Sequence, residues 1–219
     1  MHVDLQLYAL VDPAVAGGRS LTDLARLIAG SATLVQLRDK HGGTRAMIEE
    51  ARALRSVLEP AGVPLLINDR VDVALAAEAD GVHIGQDDMS AADARLLLGR
   101  NAIIGLSLSS VRHAQDAPLD LIDYVGIGAV YPTGSKDDAS APIGVAGLRE
   151  IVEVVRTRKP GFPVCAISGI NAGNAADTVA AGADGVAVIS ALSLAPDPAK
   201  AAQELRAVVD AALARRAPP

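Results

Sequence analysis

The chain has 219 residues, and 50% of them are hydrophobic, which is enough apolar side chain to bury one sizeable core. Its formal net charge of −6 argues against a generally basic surface, so we expect neither a nucleic-acid nor a membrane partner. A single cysteine, Cys165, excludes a disulfide within the chain. The first residues lack the basic region and apolar run of a signal peptide, and we therefore expect a cytoplasmic protein.

Short apolar runs alternate with longer amphipathic patterns along the whole chain. The predicted strands are Leu5–Val11, Leu34–Arg38, Pro64–Asn68, Gly81–Ile84, Ala102–Leu106, Tyr124–Gly128, Pro163–Ile167 and Gly185–Ile189. The predicted helices lie near residues 21–29, 43–58, 71–78, 90–98, 110–116, 146–157, 172–181 and 198–215. Strict alternation of strand and helix implies parallel strands joined by right-handed crossovers. Eight such units predict an α/β fold, a (β/α)8 TIM barrel that forms a single domain over residues 1–219; a doubly wound open sheet is the alternative.

The segment from Leu34 to Lys40 begins as an apolar strand and ends in polar and cationic side chains. Strand side chains alternate faces, so Gln36 and Arg38 point the same way, and Lys40 follows if the strand continues. An arginine that faces a core is unfavourable without an anionic partner. The end of this strand therefore predicts an anion site. The same alternation turns Asp39 away from that site, and we expect a structural pairing for it.

Polar side chains follow seven of the eight predicted strands. Beyond the second strand, they are Asn68, Asp69, Arg70, His83, Asp88, Ser107, Thr133, Ser135, Lys136, Ser168 and Ser190. Because catalytic groups in a (β/α)8 barrel lie at the carboxyl ends of the strands, these side chains are expected to converge on one rim. We expect structural roles for two of them, with His83 a core residue and Arg70 a partner of Asp72 or of another carboxylate.

Asp69 and Asp88 are acids from neighbouring strand ends. Two carboxylates with room for water and phosphate oxygens suit Mg²⁺. The alternative is that each aspartate caps the helix that follows it: Asp69 the helix at Val71, and Asp88 the helix at Ser90. Because both acids lie beside the cationic second strand, we favour a site for one Mg²⁺ ion.

A second cluster of small and polar residues follows strands 6, 7 and 8. Its members are Thr133, Gly134, Ser135, Lys136, Gly169 and Ser190. Loops after the last strands of such barrels frequently bind phosphate through backbone N–H groups. Ordinary turn chemistry is the alternative for each residue taken alone. The segment 129–144 is the longest without a strand or helix pattern, and its position suggests a lid.

These segments, taken in order, resemble the thiamine phosphate synthase family. The matching stretches are Gln36–Lys40, Ile67–Arg70, Gly81–Asp88, Ile104–Ser107, Pro132–Ala139, Ala166–Ile170 and Gly185–Ser190. The resemblance implies a Mg²⁺-dependent transferase that joins hydroxymethylpyrimidine diphosphate to hydroxyethylthiazole phosphate. It also implies a dissociative mechanism, in which pyrophosphate leaves first and the thiazole nitrogen then attacks a pyrimidine methyl cation.

The resemblance assigns residues to each ligand. The pyrimidine diphosphate would contact Gln36, Leu37, Arg38, Asp39, Lys40, Asn68, Ser107 and Lys136. The thiazole phosphate would contact Thr133, Gly134, Ser135, Gly169, Ile189 and Ser190. Arg38, Lys40, Ser107 and Lys136 would be catalytic, and Asp69 and Asp88 would hold the metal.

Three residues depart from the family pattern: Ser135 stands for a commoner Thr, Ala129 for a frequent Pro, and Ser168 for the first Gly of a Gly-Gly pair. Only Ser168 bears on the expected site, because its Cβ could crowd the thiazole phosphate or its hydroxyl could add a hydrogen bond to it. Two alternative functions use a similar barrel: a thiazole tautomerase, and a non-catalytic sensor of a phosphate ligand. Neither needs a complete pyrophosphate clamp. A sugar-phosphate isomerase would need a general base at a strand end, and none stands out.

Overall fold

Eight parallel strands form a closed barrel in the computed structural model, which describes residues 3–134 and 141–216. The strands are β1 Leu7–Val11, β2 Leu34–Leu37, β3 Leu65–Asn68, β4 Gly81–Ile84, β5 Ile103–Leu108, β6 Tyr124–Ile127, β7 Val164–Ile167 and β8 Gly185–Val188. Each strand pairs with the next, and β8 pairs with β1. The predicted (β/α)8 barrel is confirmed, and the open-sheet alternative is wrong.

Helices follow the strands and cover the outside of the barrel. Those in the described residues are α1 Leu21–Ile28, α2 Thr44–Leu58, α3 Val71–Ala77, α4 Ala91–Leu98, α5 Val111–Asp116, α6 Gly144–Arg158, α7 Ala175–Ala180, α8 Ser190–Ser193 and α9 Pro198–Arg215. The short helix α8 was not expected from the sequence, which predicted a loop at Ser190. None of these helices is both long and apolar enough to cross a membrane.

The strands are four to six residues long. Nearly all of their residues are buried, as expected for strands with a core on both faces. Serine side chains begin several helices: Ser20, Ser90 and Ser110 each accept a hydrogen bond from the backbone N–H three residues further on. The fifth strand runs two residues beyond its predicted end, so Ser107 lies within β5.

Two apolar layers hold the barrel together. The larger lies between the strands and the helices, and the smaller fills the barrel interior with side chains that include Leu10, Leu34 and Leu66. Cys165 is fully buried in that interior layer as a free thiol. Burial raises the pKa of this thiol, so it remains protonated and unreactive.

Glycines in the wall make room for large side chains in the interior. A Cβ on Gly105 would lie 2.1 Å from Cζ of Tyr124 and 2.5 Å from Nδ1 of His83. A Cβ on Gly126 would lie 3.1 Å from Cε1 of His83. The rings of Tyr124 and His83 therefore occupy space that only glycine leaves open.

We expect Gly105→Ala to lower the free energy of unfolding by about 2 kcal/mol, because the added methyl overpacks a filled interior. Urea denaturation followed by far-UV circular dichroism measures the change. Gly30→Ala is the matched control, since nothing lies within 4 Å of a Cβ built at that position. An equal effect of both substitutions would contradict the interpretation.

Candidate active site

A cavity of about 850 Å³ opens at the carboxyl ends of the strands. Most of the site residues expected from the sequence line it together. They are Gln36, Arg38, Lys40, Asn68, Asp69, Asp88, Ser107, Thr133, Gly134, Gly169, Ile189 and Ser190. Residues that are up to 154 positions apart in the chain, from Gln36 to Ser190, thus face one space.

Four expected residues are not in that group. Leu37 points into the core between strands and helices and is 1% exposed. Asp39 accepts hydrogen bonds from the backbone N–H groups of His41 and Gly42, which fits the structural pairing expected for it. Ser135 and Lys136 lie outside the described residues.

Arg38 is buried at the cavity wall against Asp12, which follows β1 directly. Its Nη1 donates to Oδ2 of Asp12 at 2.5 Å, and the two side chains are 9% and 2% exposed. The contact follows from strand register, because Val11 pairs with Leu37 on the neighbouring strand. The predicted requirement for an anionic partner of Arg38 is therefore met within the protein. Asp12 was missed from the sequence, although its place directly after a strand was the available signal.

Lys40 and Asp88 both contact Asp69 at the cavity mouth. The Nζ of Lys40 donates to Oδ2 of Asp69 at 2.7 Å. Burial raises the pKa of Asp69; the Lys40 ammonium opposes that rise, and the hydrogen-bonded carboxyl of Asp88 adds to it. Asp69 and Asp88 are thus close enough to share a proton or a cation.

Neither Asp69 nor Asp88 acts as the cap of the helix that follows it. Asp69 has a φ of 61° and precedes Arg70, the residue at the start of α3, which makes no side-chain cap. Helix α4 is capped by Ser90, whereas Asp88 accepts a hydrogen bond from the backbone N–H of Gly85 at 2.6 Å. The cap interpretation is therefore wrong for Asp69 and for Asp88.

The acid pair fits a Mg²⁺ ion better than a cation that needs an all-protein cage. No group of three or more His, Cys, Asp or Glu side chains placed for a metal occurs in residues 3–134 and 141–216. Mg²⁺ is commonly held by one or two carboxylates together with waters and substrate phosphates. Two carboxylates in contact at the mouth of an open cavity supply that number of ligands, and a cation between them would relieve their repulsion.

On the opposite side of the cavity, the loop after β7 packs closely against the loop after β6. Gly169 has a φ of 69°, and a Cβ there would lie 2.5 Å from the carbonyl oxygen of Pro132. Ser168 has a φ of 72°, a conformation that glycine adopts more easily. The backbone position of Ser168 thus explains physically why glycine would be preferred there.

A chain of buried hydrogen bonds crosses the barrel beneath the cavity. Gln36 Nε2 donates to the hydroxyl of Tyr8, whose oxygen lies 2.9 Å from the hydroxyl oxygen of Tyr124. Nδ1 of His83 lies 2.7 Å from Tyr124 Oη, and its Nε2 lies 2.9 Å from Oγ of Ser107. His83 is therefore a satisfied interior residue, as expected, and it also touches the expected site residue Ser107.

Burial holds both phenols of this chain in the protonated form. It raises the pKa of Tyr8 and of Tyr124 well above the ordinary value of a tyrosine. Their rings meet edge to face, with centroids 5.9 Å apart at 81°. Neither tyrosine was expected at the site from the sequence. The available signal was a hydroxyl group in each of two otherwise aliphatic strands. No local sequence pattern, however, predicts a contact between residues that are 116 positions apart.

Asp12→Asn is expected to lower the free energy of unfolding by about 3 kcal/mol, because it removes a buried carboxylate that contacts the buried charge of Arg38. Chemical denaturation measures the loss. The matched control is Asp210→Asn, which breaks an exposed helix pair with Arg206 and should change stability little. A loss at Asp12 no larger than the control would mean that the pair contributes nothing to stability.

Comparison with known proteins finds relatives over nearly the whole chain. Residues 7–192 match the family model described as Thiamine monophosphate synthase. A thiamine-phosphate synthase of Chloroflexus aurantiacus is 50% identical over 208 residues, which cover 94% of each chain. One from Agrobacterium fabrum is 48% identical over 217 residues, 99% of each chain.

Solved structures agree. A thiamine phosphate pyrophosphorylase from Pyrococcus furiosus has a TM-score of 0.83 at 38% identity, covering 96% of this chain and 98% of its own. A 3-hexulose-6-phosphate synthase, at 18% identity and a TM-score of 0.64, shares the fold. The family model covers most of the chain, and the relatives cover nearly all of it. The chain therefore belongs to the thiamine monophosphate synthase family, whose members are transferases.

Proposed function

We propose that the protein couples hydroxymethylpyrimidine diphosphate to hydroxyethylthiazole phosphate in thiamine biosynthesis, using one Mg²⁺ ion and releasing pyrophosphate by a dissociative route. The observation that carries the proposal is the Lys40–Asp69 ion pair beside Asp88, at the mouth of a cavity that Arg38 also lines. A diphosphate needs cations on several sides. A Mg²⁺ ion needs carboxylate ligands, which Asp69 and Asp88 supply at the cavity mouth.

Charge at the mouth would assist departure of the pyrophosphate. Asp69 and Asp88 would hold the Mg²⁺, which when bound supplies a Lewis acid that neutralises charge on the diphosphate. Arg38 and Lys40 are already oriented by Asp12 and Asp69, so they would need little reorganisation when charge develops on the leaving group. Lys136 is the third expected cation in this proposal.

The reaction would need no general base. The attacking thiazole nitrogen carries no proton, so nothing has to be removed for the new carbon–nitrogen bond to form. The cavity walls include the apolar side chains of Leu10, Ile167 and Ala187, which would limit the water that reaches a reactive pyrimidine cation. The residues of the site would thus act by binding, orientation and charge.

The other side of the cavity would hold the second substrate. Thr133, Gly169 and Ser190 all line it there, and the hydroxyls of Thr133 and Ser190 would donate to the phosphate. A thiazole tautomerase or a phosphate sensor would use this side alone. The paired acids and cations at the opposite side favour the coupling reaction over both. A cytoplasmic location stays a prediction.

Incubation of the purified protein with both substrates tests the proposal directly. We expect thiamine phosphate and pyrophosphate in equal amounts with Mg²⁺, and neither after its removal with a chelator, because the diphosphate then lacks charge neutralisation. Asp88→Asn should raise the Mg²⁺ concentration that gives half-maximal activity. Failure of the wild-type protein to form product would reject the coupling function, and isomerisation of the thiazole alone would identify a tautomerase.

We expect Lys136→Ala to lower kcat by about 10²–10³-fold, the loss typical when one donor to developing charge is removed. The dissociation constant of the thiazole phosphate should change far less, because the leaving group lies on the other substrate. Steady-state kinetics and calorimetry measure the two quantities. Lys200→Ala is the control, since that lysine is exposed on α9 beside Glu204. Equal losses in kcat and binding would assign Lys136 to the thiazole phosphate.

A further inference from the structure

Helix α8 is a single turn that begins with the cavity residue Ser190 and ends at Ser193. Within it, the backbone N–H groups of Ser193 and Leu194 donate to the carbonyl oxygens of Ile189 and Ser190. A helix of one turn is unstable in isolation, because so few hydrogen bonds do not offset the cost of ordering its backbone. The position of Ser190 at the cavity therefore depends on contacts that the rest of the barrel makes with α8.

Arg19, which lies just before α1, makes such contacts at the far end of α8. Its Nη1 donates to the carbonyl oxygen of Ser193 at 3.0 Å, and its Nη2 donates to that of Ala195 at 3.1 Å and that of Pro196 at 3.4 Å. The last carbonyl groups of a helix lack partners within the helix, and an arginine side chain can supply them. Because the N–H groups of a guanidinium form a rigid fork, two nitrogens on neighbouring carbonyls fix both the position and the direction of this end.

The loop between β1 and α1, which carries Arg19, is itself anchored. Asp12 begins this loop and is 1% exposed, and Ala16 in its middle is buried in the core between strands and helices. The backbone N–H of Arg19 donates to the carbonyl oxygen of Ala16 at 3.1 Å. A Cβ on Gly17 would lie 3.4 Å from Cδ2 of Leu194, so the loop also packs directly on the residue after α8. Arg19 thus reaches α8 from a backbone that is already fixed.

We propose that Arg19 is a positioning residue for the thiazole phosphate, because it holds α8 so that the hydroxyl of Ser190 stays directed at that phosphate. This inference rests on the proposed function, in which Ser190 donates to the phosphate. Arg19 is not among the described residues that line the cavity, so it would act through α8 and not by touching the substrate. The diphosphate side should not depend on Arg19, since the pairing of β1 with β2 places Asp12 against Arg38.

Arg19→Ala tests this role through the binding of one substrate. Calorimetry should show that the dissociation constant of the thiazole phosphate rises by about tenfold, the size expected when one hydrogen bond to a charged group is weakened. The KM for the thiazole phosphate should rise in parallel. The kcat at saturation and the KM for the pyrimidine diphosphate should each stay within about twofold of the wild-type values, because only ground-state binding of the thiazole phosphate is affected.

A double-mutant cycle shows whether Arg19 acts through Ser190. Ser190→Ala should weaken binding of the thiazole phosphate directly. Adding Arg19→Ala to that variant should then weaken binding by less than about twofold more, since two residues that act through one contact are not additive. Fully additive losses would overturn the proposal. So would a variant with wild-type affinity for the thiazole phosphate and only a lower midpoint of urea denaturation, because that result would leave Arg19 a purely structural role.

Arg52→Ala is the matched control. Its Nη2 donates at 2.8 Å to the carbonyl oxygen of Ala76, near the end of α3, so the substitution removes the same kind of contact from another helix. The affinity for the thiazole phosphate should not change. If Arg19→Ala does not fold, Arg19→Gln takes its place, because an amide on a shorter side chain cannot reproduce the fork. Wild-type affinity in Arg19→Gln would then refute the positioning role.

The positioning role and the coupling function fail separately. A wild-type protein whose thiazole phosphate binding depends on Arg19, but which forms no thiamine phosphate, would reject the coupling function alone. A protein that forms thiamine phosphate with the same KM for the thiazole phosphate in Arg19→Ala as in the wild type would reject the role of Arg19 alone. A wild-type protein that does not bind the thiazole phosphate would reject both.

Discussion

Parallel closure of the barrel is the constraint on which every other feature depends. Because all eight strands run in one direction and the last pairs with the first, their carboxyl ends open on the same rim. Side chains that follow the strands then face one cavity, whatever their separation in the chain. The register of neighbouring strands also sets finer contacts: Val11 beside Leu37 brings Asp12 to the guanidinium of Arg38.

The cations Arg38 and Lys40 are paired with acids before any ligand arrives. Arg38 and Lys40 each contact an aspartate, and Asp69 contacts a second acid as well as its lysine. A buried ion pair contributes little net stability, because desolvation offsets most of its attraction. Its value here is orientation, since the cations are held at the cavity wall and do not have to be immobilised when an anion binds.

The interior beneath the cavity reflects a different requirement, that buried polar groups be hydrogen-bonded. Aliphatic side chains fill most of this layer, yet Tyr8, Tyr124 and His83 lie among them and bond to one another. Gly105 leaves the space in which two of these rings fit. Because the chain of bonds reaches the cavity at both ends, the packing of the core and the chemistry of the binding surface are connected through the same residues.

The amino-acid sequence by itself determined the alternation of strands and helices, and with it the barrel. It also placed Gln36, Arg38 and Lys40 on one side of a strand and assigned Asp69 and Asp88 to neighbouring strand ends. These are local properties, because burial on two faces and the alternation of side chains need only a few successive residues.

Other features depended on contacts that no local pattern contains. The sequence did not reveal Asp12 as the partner of Arg38, the extension of β5 past Ser107, or the helix at Ser190. It gave no sign that Tyr8 would meet Tyr124. Only the tertiary structure decided these contacts, because closing the barrel fixes which side chains share its interior, and that choice depends on the register of all eight strands together.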